Sequence, residues 1–210
     1  VDSDVVVAVD SDDAAVDSDD AAVDSDVVVA VDSDDAAVDS AEGVSDTAEP
    51  PPGASFFAVD VLHRVDIVVA PGDLDALDND LDRRVPCDVT YDGVEVRQAG
   101  CRKKGQSTLR PIAEKASLTI KLDELVPDQK IDGVERFAVH NTVMDPTFTS
   151  EPLTYLLYER AGLAAPRTAH AIVTLNGETK GFYVVVEAVN KRFLRQRFGD
   201  GGGNLYEGPW

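Results

Sequence analysis

Three sets of side chains in the sequence could do chemistry. The first is Gly100-Cys101-Arg102-Lys103-Lys104-Gly105-Gln106-Ser107, a basic segment bounded by glycines. It nearly matches the loop that cradles nucleotide phosphates, but Gln106 stands where that loop needs its phosphate-holding lysine. Pro111 follows too closely for a strand-to-helix passage, so a basic loop that meets phosphate in another way is the better reading. The second set is Lys121, inside the alternating run Ser117-Leu118-Thr119-Ile120-Lys121-Leu122-Asp123, and Glu151, near the start of an expected helix. Lys121 faces opposite to Ile120 and Leu122. It is solvated if those two face the core, and it lines a cleft if they do not. A lone acid such as Glu151 at a helix start ordinarily serves the helix dipole.

The third set is acidic or sulfur-bearing. Asp73, Asp75, Asp78, Asp80 and Asp82 are dense enough to suggest a cation site, yet on a helix they spread around a solvated face. Cys87 and Cys101 are the only cysteines. They fall at the outer ends of one expected hairpin, where a disulfide is geometrically expected and would imply an oxidising compartment; two reduced thiols are the alternative. Neither a CxxC spacing nor a neighbouring histidine supports zinc. His63, His140 and His170 are far apart in sequence and read as structural or surface residues.

The elements that must position these groups follow from periodicity and turn signals. One strand is expected within Phe56–Ala70, then a short helix opened by Pro71-Gly72-Asp73 and reaching Leu81 on the stripe Leu74, Leu77, Leu81. Val85–Tyr91 and Val94–Arg97 read as a hairpin around Asp92-Gly93, and Thr168–Leu175 with Lys180–Val186 as a second around Asn176-Gly177. Residues 117–123 form a further strand. A helix is expected within Asp145–Ala161, and a basic amphipathic one over Lys191–Phe198, ending at Gly199. Antiparallel strands with interspersed helices give an α+β fold.

Charge divides the chain. Of its 40 Asp and Glu, 17 lie in residues 1–50, which contain no Lys or Arg; the remaining 23 acids face all 19 bases, so a formal charge of −21 falls to −4 over residues 51–210. Residues 23–40 repeat residues 1–18 identically, a period of 22. Asp10-Ser11-Asp12-Asp13-Ala14-Ala15 lacks the third ligand and the glycine of a calcium loop. The repeat reads instead as a disordered, self-repelling spacer over residues 1–54, closed by a proline-rich linker, with weak calcium binding and short strands in the valine runs as alternatives. The globular part is then 55–210. Nucleic-acid binding is not expected, because the tail would repel phosphate and the domain has no net positive field. No apolar run approaches the roughly 18–20 residues that span a bilayer. The chain starts at Val1 and its only methionine is Met144, so its true N-terminus, with any signal peptide, is expected upstream.

Longer motifs carry a resemblance. They include His140-Asn141-Thr142-Val143-Met144-Asp145-Pro146-Thr147-Phe148 leading into Glu151, then Ala161-Gly162-Leu163-Ala164-Ala165-Pro166-Arg167 and Leu175-Asn176-Gly177-Glu178. Gly181-Phe182-Tyr183-Val184-Val185-Val186-Glu187, Arg192-Phe193-Leu194, Phe198-Gly199-Asp200 and Gly203-Asn204-Leu205-Tyr206-Glu207 follow. Upstream, Val89-Thr90-Tyr91-Asp92-Gly93, Arg102-Lys103-Lys104-Gly105 and residues 117–123 fit the same pattern. In order and spacing these resemble the spore coat protein H (CotH) kinase family, from Val59 to the last residue.

The resemblance implies the N-terminal part of an atypical protein-kinase-like fold. It also implies a secreted or surface enzyme that binds ATP with Mg²⁺ or Mn²⁺ and phosphorylates Ser or Thr of a partner protein. Lys121 would hold nucleotide phosphates with Glu151 as its helix partner, Arg102 and Lys103 would contribute to the nucleotide site, and Glu187 would lie near a junction between lobes. Pro152 is tolerated only in a helix's first turn, so the helix should restart near Ser150 with Glu151 at its edge. The family's catalytic Asp, following Asn and metal-binding Asp motif would lie beyond Trp210. The chain alone is therefore expected to hold no catalytic residue and to be inactive. The alternative is a non-catalytic coat or surface module with an acidic, calcium-responsive spacer.

Overall fold

A computed structural model describes residues 6–8, 28–30, 50–202 and 205. In the acidic repeat, β1 (Val6–Ala8) pairs antiparallel with β2 (Val28–Ala30), with Val7 opposite Val29. These strands occupy equivalent positions of the two repeat copies. The rest of the repeat, and with it the expected disorder and calcium binding, lies outside the described residues. So do Gly203, Asn204 and residues 206–210.

The remaining strands are β3 (Leu62–Val69), β4 (Val85–Tyr91), β5 (Val94–Lys104), β6 (Ser117–Lys121), β7 (Arg136–His140), β8 (Thr168–Leu175) and β9 (Glu178–Glu187). They close into one barrel in the order β3-β4-β5-β6-β7-β9-β8. Every pairing is antiparallel except that of β3 with β8, which runs parallel from Leu62 opposite His170 to Ile67 opposite Leu175. This corrects the expected α+β, kinase-like architecture. Among the described residues the fold is a mixed β-barrel with three short helices: α1 (Leu74–Asn79), α2 (Ser150–Arg160) and α3 (Lys191–Phe198). The cause is the parallel β3–β8 ladder, which closes what local patterns read as an antiparallel sheet with interspersed helices into a ring.

Both expected hairpins form, and their turn residues explain why. Asp92 and Gly93 have φ of 46° and 86°, and Asn176 and Gly177 have 50° and 81°. Two consecutive left-handed residues match the twist of a two-residue hairpin. The first hairpin extends to Lys104, so the glycine-bounded basic segment is strand as far as that residue. Helix α3 has the expected bounds: the Asn190 side chain accepts from the amides of Arg192 and Phe193, and Gly199 closes the helix at φ 76°.

The strand expected across Phe56–Ala70 starts at Leu62 instead, because Phe56 and Phe57 leave the sheet direction and enter the core. Phe56 stacks on Tyr91 at 3.8 Å between ring centroids and meets Phe137 edge-on at 5.0 Å. The Tyr91 hydroxyl, kept protonated by burial, donates to the Phe56 carbonyl at 2.6 Å. Asp132 accepts from both amides of Ser55–Phe56 and from the Ser55 hydroxyl at 2.6 Å. His63, buried, sits between Asp92 (2.5 Å) and the Ala58 carbonyl (3.0 Å). Together these contacts seat residues 55–58 against the barrel.

Asp78 corrects the expectation that the acids of α1 all face solvent. Its carboxylate accepts from Lys103 Nζ at 2.7 Å and from the Ile112 amide at 2.9 Å. Burial alone would raise its pKa, but these hydrogen bonds outweigh it and hold the carboxyl below its usual value. Asp78→Asn is expected to cost about 2 kcal/mol, because Lys103 is only 6% exposed and would lose its charged acceptor. Urea denaturation checks this, and an unchanged midpoint would show that Lys103 does not depend on the pair.

Candidate functional site

Strand alternation sorts the basic residues of β5–β7 by face. Cys101, Leu118, Ile120, Phe137 and Val139 belong to the barrel core. The cross-strand rows Gly100–Lys121–Arg136 and Arg102–Thr119–Ala138, and the pair Lys104–Ser117, therefore lie on the outer face. Lys103 has the opposite parity and is committed to Asp78. Helix α2 packs beside the outer face: Tyr155 clusters with Ala165, Val184 and Val186, and Val184 and Val186 pair with His140 and Ala138 of β7.

Lys121 and Glu151 each meet another polar side chain. Lys121 Nζ lies 3.4 Å from Glu124, three residues along the chain, which also faces Arg84 at 3.8 Å. Glu124 reaches across Gly100, where a Cβ would meet the glutamate side chain at 2.6 Å, so this acidic contact requires glycine. Glu151 is engaged by His140. Nδ1 of the imidazole lies 3.0 Å from both carboxylate oxygens, and Lys104 Nζ lies 2.8 Å from Nε2. An ammonium can only donate and a carboxylate can only accept, so the imidazole between them is the neutral tautomer carrying its proton on Nδ1. The chain of donors runs from Lys104 on β5 through His140 on β7 to Glu151 on α2.

The helix start that positions Glu151 is built by residues before it. Helix α2 begins at Ser150, with Pro152 in its first turn, where proline costs no hydrogen bond. Its N-cap residue, Thr149, makes no side-chain cap; Asp145 supplies one from outside, accepting from the Thr147 hydroxyl (2.5 Å) and the Ser150 amide (2.8 Å). The Thr147 and Ser150 hydrogen bonds depress the Asp145 carboxyl to about 2. A depressed carboxyl contributes stability above its unfolded value and loses it as pH falls through the folded one. The Ser150 amide resonance is therefore expected to hold steady from about pH 5 to about pH 3 and to move only as the pH nears 2. Movement centred near about pH 4 would show that the cap does not form.

Lys115 stands beside this region, two residues before Ser117. Its ammonium lies over the Phe148 and Tyr183 rings at 4.7 and 5.0 Å, and burial lowers its pKa. The adjacent Asn141 side chain donates to the carbonyls of Thr108 and Lys115, which joins the loop after β5 to the end of β7. Glu187 closes β9. It accepts from Arg167 Nε at 3.0 Å and from its NH2 group, with Arg197 at 3.6 Å. Arg167 also donates to the Pro52 carbonyl. The Cys87–Cys101 disulfide is formed, with both residues buried.

Among the described residues, no three His, Cys, Asp or Glu converge to hold a metal ion, and no helix is long and apolar enough to cross a membrane. Lys104 and His140 were missed as a pair in sequence. Lys104 was hidden in a run of three bases, and His140 ends a strand that shows no alternation. Reading 94–104 as one strand would have placed Lys104 with Arg102, opposite Lys103.

Arg102, Lys104 and Lys121 thus lie on one face of β5–β7, and the Glu151 carboxylate of α2 meets that face through His140. The family model described as CotH kinase protein matches residues 101–209, more than half the chain, and the chain belongs to that family. No curated protein matches it.

Proposed function

We propose that this chain is the nucleotide-handling part of an atypical secreted or surface protein kinase that transfers the γ-phosphate of ATP to Ser or Thr hydroxyls of a partner protein. The observation that carries the reading is the outer face of β5–β7. Within the family-matched span it places Arg102, Lys104 and Lys121 on one surface, with Glu151 of α2 tied to it through His140. Guanidinium and ammonium groups on a rigid sheet suit phosphate oxygens, which they meet with charge-assisted hydrogen bonds. Mg²⁺ or Mn²⁺ would neutralise charge on the transferred phosphate. The described residues supply no ligand set for it, so this reading gives them phosphate contacts alone. The Cys87–Cys101 disulfide favours an oxidising, extracellular setting.

The test is labelled-ATP transfer to a Ser-rich acceptor by the full-length protein with Mg²⁺ or Mn²⁺, with ATP binding followed in parallel by calorimetry. Transfer is expected. A second reading, a non-catalytic coat or surface module, is favoured by the closed barrel, whose interior is filled by Phe56, Tyr91 and Phe137 rather than opened as a cleft. Absence of both transfer and ATP binding would establish it.

A further inference from the structure

We infer that the solvent face of α3 is a docking surface for an acidic polypeptide, and that its occupant is the acidic segment of this chain before Pro50, residues 39–49. The inference is independent of the phosphotransferase reading, since it involves no nucleotide. Three observations support it.

The first is charge along α3. Four of its eight residues are Lys191, Arg192, Arg195 and Arg197, and the helix contains no acid. Residues three and four apart on a helix are neighbours, so Lys191, Arg192 and Arg195 form one patch. Lys191, Arg195 and Arg197 are exposed, while Phe193 and Leu194 take the buried side. The neighbouring acids have other partners. Glu135 accepts from Arg192 at 3.0 Å, Glu187 pairs with Arg167 and faces Arg197 at 3.6 Å, and Asp132 accepts from the amides of Ser55 and Phe56. Asp200, past the helix end, accepts from the Gly202 amide. The side that α3 turns to solvent is basic.

The second is where the linker leaves the barrel. Arg167 donates to the Pro52 carbonyl, and a Cβ on Gly53 would meet the Arg167 guanidinium at 2.8 Å. On the other side, a Cβ on Gly133 would meet Arg192 at 2.8 Å and Pro52 at 2.9 Å. Pro52 thus sits between Arg167 and the first turn of α3, and it lines one cavity with Asn190 and Arg192. These contacts deliver the preceding residues to the basic helix at a fixed point.

The third is complementarity. Residues 39–49 hold Asp39, Glu42, Asp46 and Glu49 and no base. The chain from Glu49 to Pro52 spans at most about 11 Å when fully extended, and from Asp46 about 21 Å. Helix α3 is about 12 Å long, so both acids can reach any of its bases. A short tether holds such a segment at about millimolar effective concentration. An acidic polypeptide from another source must compete with that.

The test places a nitroxide on the whole chain through Ser45→Cys, the two native cysteines being closed in their disulfide. Line broadening of the Arg195 and Gln196 amides is read by NMR, with Gly177, at the far end of β9 from Glu187, as the distant reference. At about 20 mM salt the two α3 amides are expected to broaden about threefold more than at about 0.5 M, where the Debye length falls to about 4 Å. Two variants separate charge from simple tethering. Lys191→Glu with Arg195→Glu reverses the patch at exposed positions. Asp39→Asn, Glu42→Gln, Asp46→Asn and Glu49→Gln together neutralise the segment and leave the barrel strands unaltered. Each variant is expected to bring the low-salt broadening down to its high-salt value. Thermal melts check that the α3 variant is folded, and the tail variant decides if it is not. Broadening that is absent at low salt, or that persists unchanged in the tail variant, overturns the inference. Mixing the labelled protein with an isotope-enriched, unlabelled copy should leave the copy's amides sharp. Equal broadening there would assign the surface to a second molecule and overturn the proposed occupant.

Discussion

Phe56→Ala is expected to destabilise the barrel by about 3–5 kcal/mol, the range for emptying an aromatic site in a packed core. The effect should sit at the upper end for a reason specific to this fold. Phe56 is 2% exposed, and it comes from the turn segment before β3 rather than from one of the barrel strands. Neighbouring strands cannot simply close over the gap, because the ring of pairings fixes their spacing. The substitution also removes the stacked partner of Tyr91, whose hydroxyl donates to the Phe56 carbonyl. Denaturant unfolding of Phe56→Ala against Ser55→Ala separates the two roles of the segment. Ser55→Ala removes only an exposed hydroxyl bond to Asp132 and should cost about 1 kcal/mol or less. Equal losses would show that residues 55–58 do not depend on the core.

Removing the disulfide is the second large effect. Cys87 and Cys101 are separated by 14 residues, a loop for which the chain-entropy account gives about 3 kcal/mol. The double replacement by alanine should therefore lower the melting temperature by about 6–12 °C for a domain of this size. Both sulfurs are buried among core residues, so a reductant should act only after partial opening of the β4–β5 pair. The rate of reduction is expected to fall as stabilising salts are added. Fast reduction, independent of stability, would mean that the bridge is exposed.

Local chemistry in the sequence went far toward the elements. Asp92-Gly93, Asn176-Gly177 and Gly199 each impose a backbone geometry that nearby residues alone determine, and the structure keeps every one of them. Cys87 and Cys101 were legible because the first hairpin was. Strand β7 was not. Arg136–Ala138 and Val139 are buried on the inside by the barrel and on the outside by neighbouring elements, which erases the alternation that marks a half-exposed strand. Closure was not legible either, since it depends on β3 meeting β8 about a hundred residues later, and no local period encodes such a pairing. At the site, the pairing of Lys121 with Glu151 came from the family resemblance and not from any local pattern. Finding the Lys104–His140–Glu151 contacts required knowing that residues 104 and 140 come together across β6.

The parallel ladder between β3 and β8 has a further consequence when set beside the span of family resemblance. The match begins at residue 101, inside β5, whereas the barrel needs β3 and β4 and the disulfide needs Cys87. A fragment cut at that boundary would leave β8 and β5 with unpaired backbone donors and acceptors along two raw edges, and such edges recruit strands from other molecules. The matched span and the folding unit therefore do not coincide here. The smallest piece expected to stay monomeric starts upstream of Phe56, and one that starts at residue 101 should aggregate.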